Sequence, residues 1–184
     1  MILRLVERRP LTETDPYDWI EGVGPNGLLT GLASSLGRPQ WEVDAVLVDD
    51  LTMAGLNEGF RKVPGVTDVL SFSYLQVTGT GPPALAGGQG RAFTNLWLDT
   101  ITSAPENGTA PSVGEVILAP GFVADRCNRQ KWSLEHEIPL LLVHGLLHIL
   151  GWDHANPEET EAMQAVEEKI LAAAGLPHPL LERS

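Results

Sequence analysis

Residues 144–154 read HGLLHILGWDH and hold three of the chain's five histidines. An average window of eleven residues in this chain would hold roughly 0.3. Imidazole is the commonest metal ligand among side chains, so spacing is the next question. His144 and His148 are four residues apart, which on a helix sets both rings on one face about one turn apart, able to share one ion. Gly151 stands where that helix has to stop, because glycine takes up the left-handed conformation of a helix C-terminus. Trp152 and Asp153 then bring His154 back as a third ligand. Three neutral histidines suit zinc and leave a fourth position for water, the pattern of a catalytic site and not of a closed structural one. One zinc ion per chain is the expectation. Histidines satisfied by hydrogen bonds in a core are the alternative, which this clustering disfavours.

The pattern His-x-x-x-His-x-x-Gly-x-x-His is that of the metzincin proteases, in which a glutamate follows the first histidine and acts as general base. Here that position is Gly145. Peptide hydrolysis is therefore disfavoured, and a metallopeptidase with an unusual base stays as an alternative.

The elements that must position these side chains follow from hydrophobic periodicity. ILRLVER near the start and WEVDAVLVDD at 41–50 alternate like strands, and GPNGLLTGLASSLG between them has helical spacing. LTMAGLNEGFRKV reads as a second helix. VTDVLSFSYL reads as a strand with Leu70, Phe72 and Tyr74 on one side and Val69, Ser71 and Ser73 on the other. Glycine- and proline-rich stretches at 79–90 and 102–112 flank a short strand, FTNLWLDTI, and form an excursion over about 79–112. GEVILAP is the next strand, and two helices close the chain. The one carrying Val143 to Leu150 is apolar nearly all round and so belongs in the core, with Pro139 leaving its start open. The last begins at Asn156 as cap, with Pro157, Glu158 and Glu159 in its first turn, and its acidic outer face is expected in solvent. These elements predict a single α/β (α+β) domain over residues 1–184: a mixed sheet packed with helices, around a zincin-like metal helix.

Composition bounds the function. A chain of 184 residues buries a core without disulfides or metal as staples, and the single cysteine, Cys127, makes no internal disulfide. Residues 1–20 lack the apolar run of a secretory signal, so a cytoplasmic location is expected. The most apolar stretch, IPLLLVHGLLHILGW, falls short of the roughly 20 residues that span a bilayer, and no membrane partner is expected. A formal net charge of -12 argues against general nucleic-acid coating, so any RNA has to be met by a local basic patch. Arg126, Arg129 and Lys131, just before the metal helix, are candidates for that patch. Ser71 lies on a strand whose backbone can pair with an extended substrate.

HGLLHILGWDH, together with LNEGFRKVPGVTDVLSF at 56–72 and EETEAM at 158–163, resembles the YbeY-type bacterial endoribonucleases, which act as rRNA maturation factors. The resemblance extends over most of the chain from about residue 41. Two departures are Ser73, where the family has proline, and GEV at 114–116, where it has G-D-I. The resemblance implies metal-dependent cleavage of single-stranded RNA and rRNA precursors, including the 16S rRNA 3′ end, with ribosome quality control and the ribosome or its proteins as context, and no DNA. It also implies His144, His148 and His154 as zinc ligands and Arg61 as a catalytic residue. A guanidinium suits that task, since it is always charged and binds two phosphoryl oxygens at once. Either a metal-activated water or the RNA's own 2′-hydroxyl can attack phosphorus, and the sequence leaves both open. A third class of reading is a ribosome-associated RNA-binding factor with structural zinc and no catalysis. Asp153 either orients a histidine or caps its turn. Thr67 and Asp68 read as strand-entry residues, and His136 and His178 as ordinary surface.

With three imidazoles at this spacing, the purified protein should hold about one transition-metal ion per chain by elemental analysis, and His148→Ala should lose it. A full complement of metal in that variant would show that the shared helix face is not the site.

Overall fold

The computed structural model describes residues 2–8, 42–74 and 112–180. The helix expected in GPNGLLTGLASSLG, the strand in FTNLWLDTI and nearly all of the 79–112 excursion lie outside the described residues. Among the described residues, four strands form one sheet in the order β1-β2-β4-β3: β1 (Ile2–Glu7), β2 (Glu42–Leu47), β3 (Val69–Ser73) and β4 (Ser112–Leu118). The β1–β2 and β2–β4 pairs are parallel and β3 runs antiparallel to β4, so the sheet is mixed, as the pattern predicts. The register places Ala45 and Ser71 on either side of Val116.

Among the described residues, four helices accompany this sheet: α1 (Asp50–Leu56), α2 (Pro120–Gln130), α3 (Leu134–Ile149) and α4 (Pro157–Ala173). The alternation of the strands divides the core in two. Val43, Ala45, Leu47, Val116 and Leu118 face the larger cluster, with side chains from α2, α3 and α4. Val46, Val48, Leu70 and Ile117 face the smaller one, with Met53 of α1. Apolar side chains on both faces of β2 and β4 mark them as covered strands, in keeping with their nearly continuous apolar sequences.

The expected second helix is shorter than its apolar pattern. After Leu56 the backbone widens into a π-type turn over Asn57–Arg61 and stops at Lys62, whose φ of 60° is left-handed. Gly59 weakens the helix there. The buried Asn57 donates from Nδ2 to the Gly65 carbonyl at 2.9 Å, closing the following loop against the turn. This widened turn, and not a helix interior, carries Arg61.

The central helix is α3, with Pro139 inside its second turn. Proline there forgoes one backbone hydrogen bond, and burial of Ile138, Leu141, Leu142, Val143 and Leu146 offsets the loss. Its C-terminus forms a Schellman turn. Gly151 has φ 88°, its N–H donates to the His148 carbonyl at 2.9 Å, and the Trp152 N–H donates to the Leu147 carbonyl at 2.9 Å. The Ser73 hydroxyl donates to the Ile149 carbonyl at 2.9 Å and so ties β3 to the end of α3. At the start of α4, Asn156 Oδ1 accepts from the Glu159 N–H at 2.9 Å, and Glu159 Oε2 accepts in turn from the Ala155 N–H at 3.0 Å.

The central helix lies so close to the sheet that position 145 has no room for a side chain. A Cβ there would sit 2.7 Å from Val116 Cγ1 and 3.0 Å from its Cγ2. Gly145→Ala should therefore overpack the α3–β4 contact and cost about 1–3 kcal/mol in a denaturant titration. Unchanged stability would show that α3 can move away from the sheet without penalty.

Candidate metal centre and groove

The three histidines come together. One ligand nitrogen from each of His144, His148 and His154 lies within 4.8 Å of the others. His144 Nε2 and His148 Nε2 are 3.1 Å apart. Two nitrogens bound at about 2.0–2.1 Å to a tetrahedral zinc stand roughly 3.3 Å apart, so this pair has close to the spacing of two ligands of one ion. His154 is exposed on the loop beyond the helix, its ring centroid 5.3 Å from that of His144 and 5.1 Å from that of His148.

Hydrogen bonds to the other ring nitrogens decide which lone pairs are available. His148 Nδ1 lies 2.9 Å from the Trp152 carbonyl, which only accepts, so Nδ1 carries the proton and Nε2 presents its lone pair. His144 Nδ1 lies 2.8 Å from Glu167 Oε1, and the same logic leaves its Nε2 free for metal. Two lone pairs that face each other this closely repel unless a cation stands between them. Burial pushes the His148 imidazole below its ordinary pKa of 6.5, and the neighbouring His144 adds to the effect. A neutral ring is the form that binds a metal. The donor set, its tautomers and its spacing fit a zinc ion.

These histidines open onto a groove of about 610 Å³ whose wall also includes Phe60, Arg61, Asp68, Ser71 and Asp153. Arg61 and Ser71, far from the histidines in sequence, are thus brought to them. Arg61 is exposed. Phe60 beside it is 65% exposed and meets the Phe72 ring edge-on at 4.8 Å between centroids. Asp153 Oδ1 accepts from the His154 backbone N–H at 2.8 Å, which favours the turn cap of its two readings.

Arg126, Arg129 and Lys131 are not among the described residues that line this groove. The Arg126 guanidinium is held by Asp68 Oδ2 and by Glu137 Oε1, the latter at 2.9 Å, and lies 5.8 Å from the centre of the Trp132 ring. Arg129 is exposed at the end of α2, and Lys131 is the left-handed residue that terminates that helix. Asp68 is more than a strand-entry residue: it accepts from the Val69 N–H at 2.9 Å and from the Thr67 hydroxyl at 3.2 Å while pairing with Arg126.

One expectation is overturned, and one buried acid is not among the residues singled out from sequence. His178 is not surface but buried, 5% exposed, and its Nε2 lies 3.2 Å from Glu167 Oε2. Glu167 does not share the solvated outer face of α4, where Glu161 and Glu168 are exposed; it is 3% exposed. A signal for it existed in the sequence. Met163, Glu167, Ile170 and Leu171 follow helical spacing, so the carboxylate occupies a position on the apolar stripe. His136, at the start of α3, is half-buried and outside the cluster.

A buried central helix on a mixed sheet, with three convergent imidazoles and an arginine on the same groove, defines an α+β protein with a candidate metal-hydrolase site. Residues 28–175 match the family model described as Endoribonuclease YbeY, and the chain belongs to that family. Relatives named Endoribonuclease YbeY from Nocardia farcinica and Rhodococcus erythropolis are 38% and 37% identical over 134 residues, 73% of this chain. The match spans 62% and 63% of those relatives' own length. A solution structure of a Thermotoga maritima protein aligns with a TM-score of 0.48 and 17% identity, covering 93% of this chain and 90% of that one. No helix among the described residues is long and apolar enough to cross a membrane.

The lowered His148 pKa has a consequence for stability. The unfolded chain takes up a proton at this residue as pH falls through 6.5, before the folded chain does. The metal-free protein should therefore lose stability on acidification below about 6.5, the loss becoming complete once pH passes the lower, folded value. Thermal melting of metal-free protein across this range should show the fall, and His148→Gln should make it shallower. An identical pH profile in that variant would show that His148 is not the group responsible.

Proposed function

We propose that this protein is a zinc-dependent endoribonuclease that cleaves single-stranded RNA, with rRNA precursors as substrates and the 16S rRNA 3′ end among its targets. The proposed setting is the cytoplasm, in rRNA maturation and ribosome quality control, in association with the ribosome or its proteins. The observation that carries the chemical part is the shared groove: Arg61 and all three histidines line one cavity of about 610 Å³. The names of the relatives point to RNA as the substrate.

His144, His148 and His154 would hold the zinc ion, which would supply Lewis acidity and could activate a nucleophile at neutral pH. The remaining steps belong to the chain's own residues. Glu167 and the Trp152 carbonyl keep protons on Nδ1 of His144 and His148, so both Nε2 atoms stay available to the ion. Arg61 binds the non-bridging oxygens of the scissile phosphate, where negative charge accumulates during attack. Phe60 offers an exposed ring on which a base can stack. Ser71 lies on β3, an edge strand among the described residues, beside the path of an extended strand of RNA. Asp68 is already paired with Arg126, which lessens the repulsion that an acidic protein would present to phosphate. Arg129 and Lys131, both exposed, meet the RNA backbone outside the groove.

The peptidase alternative lacks its base for a packing reason, since Val116 occupies the space a side chain at position 145 would need. Asp68 and Asp153 are the carboxylates among the groove's described lining, and both already accept hydrogen bonds.

Arg61→Ala should leave metal content and melting unchanged while RNA cleavage falls about a hundredfold or more. His154→Ala should lose metal and cleavage together. Near-normal cleavage by Arg61→Ala with metal bound would remove the arginine from the site, and a 2′,3′-cyclic phosphate product would assign the attack to the RNA's own 2′-hydroxyl.

A further inference from the structure

His178 stands outside the histidine motif, in the tail that follows α4, yet one carboxylate joins it to the metal centre. Glu167 is buried, and each of its oxygens meets a different imidazole. Oε1 lies 2.8 Å from His144 Nδ1, and Oε2 lies 3.2 Å from His178 Nε2. The tail itself assigns the His178 tautomer. The Leu180 backbone N–H donates to His178 Nδ1 at 3.3 Å, so Nδ1 is the acceptor and the proton sits on Nε2, facing Glu167. Two N–H donors thus converge on the carboxylate, one from His178 Nε2 and one from His144 Nδ1.

The local sequence is built to deliver this ring. Gly175, with φ 74°, ends α4 in a second Schellman turn, in which its N–H donates to the Ala172 carbonyl at 3.0 Å and the Leu176 N–H donates to the Leu171 carbonyl at 2.9 Å. Pro177 and Pro179 then flank His178 and restrict the backbone on both sides, which lowers the entropy lost in placing the ring. A buried carboxylate with an unpaired oxygen is costly. With a donor on each oxygen, Glu167 is also held against rotation.

We propose that His178 is a positioning residue for the metal centre. It acts through Glu167, fixing the carboxylate as the acceptor for His144 Nδ1–H and so setting how firmly His144 Nε2 holds the ion. The proposal rests on the metal reading of the three histidines and is independent of RNA as substrate.

The test uses the full chain with zinc alone, measuring affinity by competition with a chromogenic chelator and release rate by chelator chase. Outer partners of metal-bound histidines typically contribute about 10–100-fold in affinity. His178→Ala should weaken zinc binding by about tenfold or more and speed its release, whereas His178→Gln, which carries an N–H near the Nε2 position, should restore most of the loss. In a Glu167→Ala background, His178→Ala should add little further loss, because the carboxylate through which it acts is gone. Should the alanine variant fail to fold, His178→Leu, which fills the space without an N–H, is compared with His178→Gln in the same way. Wild-type zinc affinity in a folded His178→Ala or His178→Leu protein, or an equal loss with and without Glu167, would overturn the proposal. A wild-type protein that takes up no zinc would instead overturn the metal reading, and this proposal with it.

Discussion

The backbone of Trp152 sets the architecture of the candidate metal centre. Its N–H closes the last turn of α3 by donating to Leu147, and its carbonyl accepts the Nδ1 proton of His148. Ending the helix and orienting the His148 ring are therefore one event. The same reversal, made possible by the left-handed backbone at Gly151, returns the chain so that His154 stands near the two helical histidines. A residue with a Cβ at position 151 would strain that turn, and the arrangement of the three histidines depends on it.

The surroundings hold this helix end in place from two directions. On the sheet side, the contact between Gly145 and Val116 sets how closely α3 approaches β4, while Ser73 binds the carbonyl of Ile149. On the other side, α4 carries Glu167 to His144. Helix α3 thus supplies two of the three histidines, and the loop beyond it supplies the third. Precision in such a site comes from supports that are themselves packed and hydrogen-bonded.

Charge follows the same plan. The chain is strongly acidic, with a formal net charge of -12, yet its acids near the centre are matched to specific donors. Glu137 and Asp68 share Arg126, and Glu167 is shared by His144 and His178. Breaking a buried pair costs more than the pair contributes, since it strands the remaining charge. These contacts link α2 to α3 and to the residue that leads into β3, and α3 to α4 and the tail beyond it. Asp68 is held by Arg126, while Arg61 lines the same groove exposed to solvent.

Short-range geometry accounts for what is legible in the residues alone. The four-residue spacing of His144 and His148, the stop at Gly151, the Asn156 cap and the alternation of Val69 to Ser73 are each set by helix or strand periodicity within a few residues. Arg61 is legible through the family's pattern of residue types, but its π-type turn is not, because the apolar spacing of LTMAGLNEGFRKV continues as a helix would. The basic cluster shows the opposite case. Arg126 looks like a free cation in sequence, and only folding brings Asp68, 58 residues away, and Glu137, on the next helix, against it. It also takes the folded chain to join Ser73 to Ile149, to exclude a side chain from position 145 with Val116, and to set Glu167 and His178 behind His144. Periodicity fixes which face of an element a side chain occupies, whereas the partner on that face depends on how whole elements pack.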